Sequence, residues 1–206
     1  MGKISDNQLR KIKDFYYRDM LSMREIASNF GVSIDAVVYF MRRHDLKRRG
    51  FSEINKLRFE KKKPSFKERP INSVYKRELR AIGSMLYWGE GYKSEKSSFV
   101  DFSNSDSEMI KMFLKYLRGV YHINEKKLRV LLYCYSNQNI DELIKYWSEL
   151  TKIPINQFTK PYIRRDYNVN SRRMKRGLVH IRYIDKKLLL NIRGAIDFYK
   201  RKFLGR

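Results

Sequence analysis

AIGSMLYWGEGYK, residues 81–93, is an apolar helical run that stops on Gly-Glu-Gly and then turns polar. Leu86 and Tyr87 lie in its apolar centre, and a single carboxylate, Glu90, stands between Gly89 and Gly91. An acid at a helix C-terminus opposes the helix dipole, so a cation or a function is expected to answer it. The elements on the C-terminal side of this helix decide the fold.

Downstream, strand and helix alternate. SSFVDFSNS, residues 97–105, has period two, with Val100 and Phe102 on one face and Phe99, Asp101 and Ser103 on the other. SDSEMIKMFLKYLRGVYHI, residues 105–123, opens with cap chemistry and keeps Met109, Ile110, Phe113, Leu114 and Leu117 at helical spacing. KLRVLLYCYS, residues 127–136, returns to period two, with Leu128, Val130, Leu132 and Cys134 opposite Arg129, Leu131, Tyr133 and Tyr135. NIDELIKYWSELTKI, 139–153, reads as an amphipathic helix before Pro154, and QFTKPYIRRD, 157–166, as a strand. The polar, basic YNVNSRRMKRG, 167–177, leads to a strand in GLVHIRYID and a helix in LLLNIRGAIDFYKRKFL. The order predicts an α+β fold, with one sheet face covered by helices and the other free. The free face presents Arg129, Tyr133, Tyr135, His180 and Arg182, side chains suited to a DNA groove.

Upstream, residues 1–50 read as a compact trihelical unit. Leu9, Ile12, Phe15, Tyr16 and Met20 recur at helical spacing, with Asp6 placed to cap the start. Ser22 and Glu25 have capping-box spacing, Gly31 is placed to end that helix left-handed, and Ser33 to cap the next. This pattern resembles the helix-turn-helix of resolvases, sigma factors and many repressors. The resemblance implies that the helix from Ser33 to Asp45 enters the major groove. Ser33, Asp35, Ala36 and Tyr39 would then face base edges, and Arg42, Arg43, Lys47, Arg48 and Arg49 would hold phosphates. Residues 51–75, with Pro64, Pro70 and a run of three lysines, read as a basic linker or arm.

Composition agrees with a polyanionic partner. The 206 residues carry 46 Lys and Arg against 22 Asp and Glu, a net charge of +24. On a foldable chain such a surplus favours nucleic acid over an anionic membrane or an acidic protein. No window approaches the ~18 continuous apolar residues of a spanning helix, and the first residues lack a signal-peptide run, so an intracellular, cytoplasmic protein is expected. The single cysteine, Cys134, excludes an intrachain disulfide and a cysteine-clustered zinc site. His44, His122 and His180 lack metal spacing, and no phosphate-binding or nucleophile-elbow fingerprint is present. Lys93 and Gln138 are further candidate phosphate or water contacts.

Aligned on its end, GSMLYWGEG, residues 83–91, resembles the motif of LAGLIDADG homing endonucleases, with Leu86 and Tyr87 over its apolar centre, Gly89 at its small seventh position, Glu90 at its acid and Gly91 at its last glycine. The resemblance extends over residues 76–206, behind the helix-turn-helix and the linker. Met85, Trp88 and Glu in place of Asp depart from the motif. The resemblance implies a saddle-shaped sheet over DNA and paired motif helices, each delivering one carboxylate. Glu90, with Gly89 beside it, would hold Mg²⁺ for phosphodiester hydrolysis. One motif per chain implies a homodimer through the 81–91 helix, with Ser84, Met85, Trp88 and Gly89 at the interface and a near-palindromic target. Three functions are compatible with this reading: a metal-dependent site-specific endonuclease, a non-cleaving DNA-binding regulator on the same scaffold, and an RNA-binding maturase-like protein.

Overall fold

The computed structural model describes residues 4–165 and 174–205, and the chain divides into two units, residues 1–63 and 64–206. In the first, α1 (Leu9–Lys13) runs on into a π-helical turn, Asp14–Arg18, and is followed by α2 (Met23–Phe30), α3 (Ile34–Arg43) and α4 (Phe51–Lys61). Ile12, Tyr16, Ile26, Ala27, Val37, Phe40 and Met41 form its core. The signals between α2 and α3 act as read. Ser22 Oγ accepts from the Glu25 amide while Glu25 Oε2 accepts from the Ser22 amide at 2.6 Å. Gly31 has φ +63°, a conformation that costs a side chain about 1 kcal/mol or more, and Ser33 Oγ accepts from the Ala36 amide at 3.1 Å.

Three expectations for this unit are corrected. The first helical turn is capped from Ser5, whose amide donates to Gln8 Oε1. Asp6 lies one residue inside and pairs instead with Arg43 at 3.0 Å and His44 at 2.9 Å. Arg49 does not face solvent as a phosphate contact. Its guanidinium lies 4.0 Å from the Tyr16 ring centroid and donates to the Leu21 carbonyl at 2.9 Å. Residues 51–61 are helix and not linker. Their apolar periodicity is weak and no side chain is fully buried, but Glu, Lys, Leu and Arg are good helix formers. Pro64 falls just outside the helix, so it breaks nothing.

The second unit is α+β. It comprises β1 (Phe66–Glu68), α5 (Val74–Glu90), β2 (Val100–Asn104), α6 (Ser107–Val120), β3 (Tyr121–Ile123), β4 (Leu128–Tyr135), α7 (Ile140–Thr151), β5 (Tyr162–Arg164), β6 (Leu178–Tyr183) and α8 (Lys186–Leu204). Four strands form a mixed sheet in the order β2-β6-β4-β5, antiparallel except for the β4-β5 pair. The alternation in β4 is complete: Leu128, Val130, Leu132 and Cys134 are buried, and the intervening residues are half-buried. Asp106 caps α6 and Asp185 caps α8, each accepting from two backbone amides. The stretch 167–177, flagged for its basic character, lies largely outside the described residues.

Among the described residues, helices cover one face of the sheet and leave the other uncovered. Val100, Phe102, Val130, Val179 and Ile181 meet Phe113, Leu117, Trp147, Leu188 and Ile192 in a continuous core. Phe113 stacks on Phe102 at 4.2 Å and on Tyr87 at 5.9 Å, pairs that contribute about 0.5–1.5 kcal/mol each beyond their buried area. A second, two-stranded sheet pairs β1 with β3, Lys67 opposite His122. Three residues per strand are too few to give a legible period, and half of this sheet falls in the stretch read as linker.

Candidate functional site

The uncovered sheet face is built around a buried carboxylate. Asp101 sits on β2 opposite Arg182 of β6, and Arg182 in turn lies opposite Arg129 of β4. Asp101 Oδ1 lies 2.9 Å from His180 Nδ1, and Oδ2 accepts from Arg182 Nε at 2.8 Å. Burial acts to raise the Asp101 pKa, but the hydrogen bond and charge of His180, then those of Arg182, outweigh it and hold the carboxyl below its usual value. The His180 and Arg182 side chains are thereby fixed in place. Next along the face, Tyr133 lies between His180 and Tyr162, with ring centroids 4.8 Å and 4.9 Å away. Arg129 folds back, donating to the Lys126 and Leu128 carbonyls. Tyr135 lies opposite Arg164 in the parallel pair.

All five side chains expected on this face are therefore there, although Arg129, His180 and Arg182 have partners within the chain. Sequence reading left out Asp101, which anchors the row, and Tyr162 and Arg164, which extend it. The alternation in residues 97–105 already placed Asp101 on this face. The rest needed the parallel register of β5 against β4.

In the first unit, Asp35, Tyr39 and Arg42 are exposed along one side of α3, Tyr39 by 67%, with Ala36 half-buried between them. Ser33 Oγ is engaged in its cap, and Arg43 is engaged by Asp6. Lys47 and Arg48 come after the helix, exposed and without an ion-pair partner among the described residues.

Local contacts hold the end of α5 rigidly. Tyr87 is buried, its hydroxyl donates to the Tyr92 carbonyl at 3.1 Å, and burial pushes its pKa up to about 12. Gly91 bridges to Phe102, and the Tyr92 amide donates to the Asp101 carbonyl at 2.8 Å, so the helix ends against edge strand β2. Glu90 is exposed there and has no ion-pair partner among the described residues. The Gly89 carbonyl, expected as a metal ligand, accepts from Lys93 Nζ at 3.1 Å. At this end of α5 a cavity is lined by Trp88, Lys93 and Glu95 together with Arg193, Asp197 and Lys200 of α8. Among the described residues no group of three or more His, Cys, Asp or Glu gathers as a metal site.

The expected dimer contact is partly corrected. α5 packs against both α6 and α8 of its own chain, which buries the face carrying Gly83, Ser84 and Tyr87. Ser84 is 0% exposed, with Oγ 3.3 Å from Tyr116 Oη, so it is not available to a second copy. Met85 is half-buried, Gly89 faces open space, and Trp88 is exposed by 41% with Lys200 Nζ 4.8 Å from its ring centroid. Gln138 serves the fold, accepting from the Tyr135 amide and donating to the Met174 carbonyl. Among the described residues no helix is long and apolar enough to cross a membrane. Compared with family models, with curated proteins and with solved structures, the chain finds no match.

Proposed function

We propose that this protein binds double-stranded DNA, with α3 as a major-groove reader in a helix-turn-helix and the uncovered sheet face as a LAGLIDADG-like saddle. The observation that carries the reading is the exposed side of α3. Asp35, Tyr39 and Arg42 face solvent on a helix that begins shortly after a left-handed glycine, with Lys47 and Arg48 just beyond it. Side chains near the start of such a helix reach base edges, and the cations beyond it reach phosphates. The net charge of +24 supports the non-specific part of the affinity.

A second reading, cleavage by a homodimer, is favoured by one specific observation. Glu90 stands exposed and without an ion pair among the described residues, on a helix end held against edge strand β2. Two copies meeting through the Met85 and Gly89 side of α5 would bring two carboxylates together over a near-palindromic site. Glu90 and its counterpart in the second copy would hold a divalent cation such as Mg²⁺, which would supply Lewis-acid chemistry at the phosphodiester. Among the described residues of one chain no group of three or more metal-ligating side chains gathers, and the second copy would supply the second carboxylate.

The test is to incubate the protein and its Glu90→Gln variant with a randomised duplex library, with Mg²⁺ or with EDTA, and to sequence bound and cut molecules. Enrichment of a recurring site supports duplex recognition. Mg²⁺-dependent breaks lost in Glu90→Gln, with binding retained, support cleavage. A bound site without cuts, equal in both proteins, leaves a DNA-binding regulator. Enrichment no better than for a structured RNA pool overturns the duplex reading.

A further inference from the structure

On the helical layer, away from the uncovered sheet face, lies a cavity of about 500 Å³ lined by side chains from α5, α6 and α7 together with Arg69. That volume is within the roughly 300–1,000 Å³ of small-molecule sites. Its lining has two chemistries. Leu79 and Leu114, both nearly inaccessible, and half-buried Leu150 supply an apolar floor. Arg69, Lys76, Lys111, Lys115 and Arg118 supply the charge, and among the described residues no carboxylate lines it.

Two of those cations are neutralised from outside the cavity. Lys111 pairs with Glu108 at 2.9 Å, and Arg118 is held by both carboxylate oxygens of Glu125 and by the Thr151 carbonyl. The other three have no carboxylate partner among the described residues. Arg69 Nη2 lies 2.8 Å from His122 Nδ1, Lys76 Nζ donates to the Pro70 carbonyl and Asn72 Oδ1, and Lys115 Nζ lies 5.5 Å from the Tyr75 ring centroid. Tyr75, exposed by 54%, adds an aromatic ring to the lining. Arg69 and Lys115 are exposed and Lys76 half-buried beside the leucine floor, so an anion with an apolar body matches both chemistries of the lining.

From this arrangement we propose that the cavity is a binding site for a nucleoside phosphate. Arg69, Lys76 and Lys115 hold the phosphoryl oxygens through charge-assisted hydrogen bonds. The base lies over Leu79, Leu114 and Leu150, with Tyr75 against its edge or face. None of these residues belongs to the proposed DNA contacts, so the site is separable from them.

The experiment is isothermal titration of the 206-residue chain at two salt concentrations with ATP, AMP, adenosine and inorganic tripolyphosphate. The variants are Lys76→Ala/Lys115→Ala and Tyr75→Ala, with the α3 variant Lys47→Ala/Arg48→Ala as a control for general polyanion binding. Thermal melting confirms that each is folded. The expected result is saturable binding of ATP or AMP, weakened at least tenfold in Lys76→Ala/Lys115→Ala and unchanged in the α3 variant. Tyr75→Ala should weaken nucleotide several-fold and leave tripolyphosphate unaffected. Equal affinity for tripolyphosphate and ATP, or equal loss in the cavity and α3 variants, would overturn the proposal.

Discussion

A Cβ atom placed on Gly83 would lie 2.0 Å from Cγ of Tyr116, so α5 and α6 touch backbone to ring at that point. Tyr116 cannot swing aside freely, because its hydroxyl lies 3.3 Å from Ser84 Oγ and 3.2 Å from the Tyr121 hydroxyl in a buried cluster. Gly83→Ala should therefore destabilise the second unit by about 2 kcal/mol or more, toward the upper end of overpacking costs. Urea denaturation followed by tryptophan fluorescence measures this, and a loss below about 0.5 kcal/mol would show that the helices can separate cheaply.

Asp101 and Asp185 should make the fold acid-sensitive. For both, burial acts to raise the pKa, and hydrogen bonds outweigh it: from His180 and Arg182 at Asp101, and from Ser65 and the α8 amides at Asp185. A carboxyl lowered in the folded state contributes stability that is present above the unfolded pKa of about 3.9 and is lost as pH falls through the lower folded value. The urea midpoint should be flat above about pH 5 and fall steeply below about pH 4. Asp101→Asn should start lower by about 1–3 kcal/mol at pH 7 and fall less steeply in acid. A variant with the wild-type acid slope would remove Asp101 from this account.

The side chains about α3 should divide into readers and anchors. Lys47→Ala/Arg48→Ala should weaken binding to every duplex alike and reduce the slope of log affinity against log salt by about 2, one unit per lost phosphate contact. Tyr39→Ala should cost about 1–3 kcal/mol on a preferred sequence and little on random DNA. Fluorescence anisotropy across a salt series separates the two, and an unchanged slope in the double variant would place the phosphate contacts elsewhere.

Glu90→Gln should leave the fold intact. The carboxylate is exposed, lacks an ion pair among the described residues and opposes the α5 dipole, so its removal should be neutral or stabilise by up to about 1 kcal/mol. Thermal melting tests this, and a fall of several degrees would give Glu90 a structural partner and undercut the cleavage reading.

Much of this fold is written locally. The period-two runs place β2, β4 and β6 and settle which of their residues turn away from the core, because strand side chains alternate whatever they pack against. Ser22, Gly31, Ser33 and Asp106 act as caps and turns through contacts no more than a few residues away, so their spacing is enough. The net charge of +24 is legible in the same way, because it is a sum over residues and needs no geometry.

The features that the sequence could not decide depend on long-range partners. Lys61 of α4 meets Glu25 of α2 from 36 residues away, where only a linker was legible, and Asp6 takes up Arg43 from 37 residues away. Ser84, Met85, Trp88 and Gly89 read as a surface for a second chain. Tertiary packing turns Gly83 and Ser84 inward onto Tyr116 and leaves Gly89 and Glu90 outside. Helical periodicity marks a close-packing face, but only the neighbours that fill it decide whether the partner is the same chain or another.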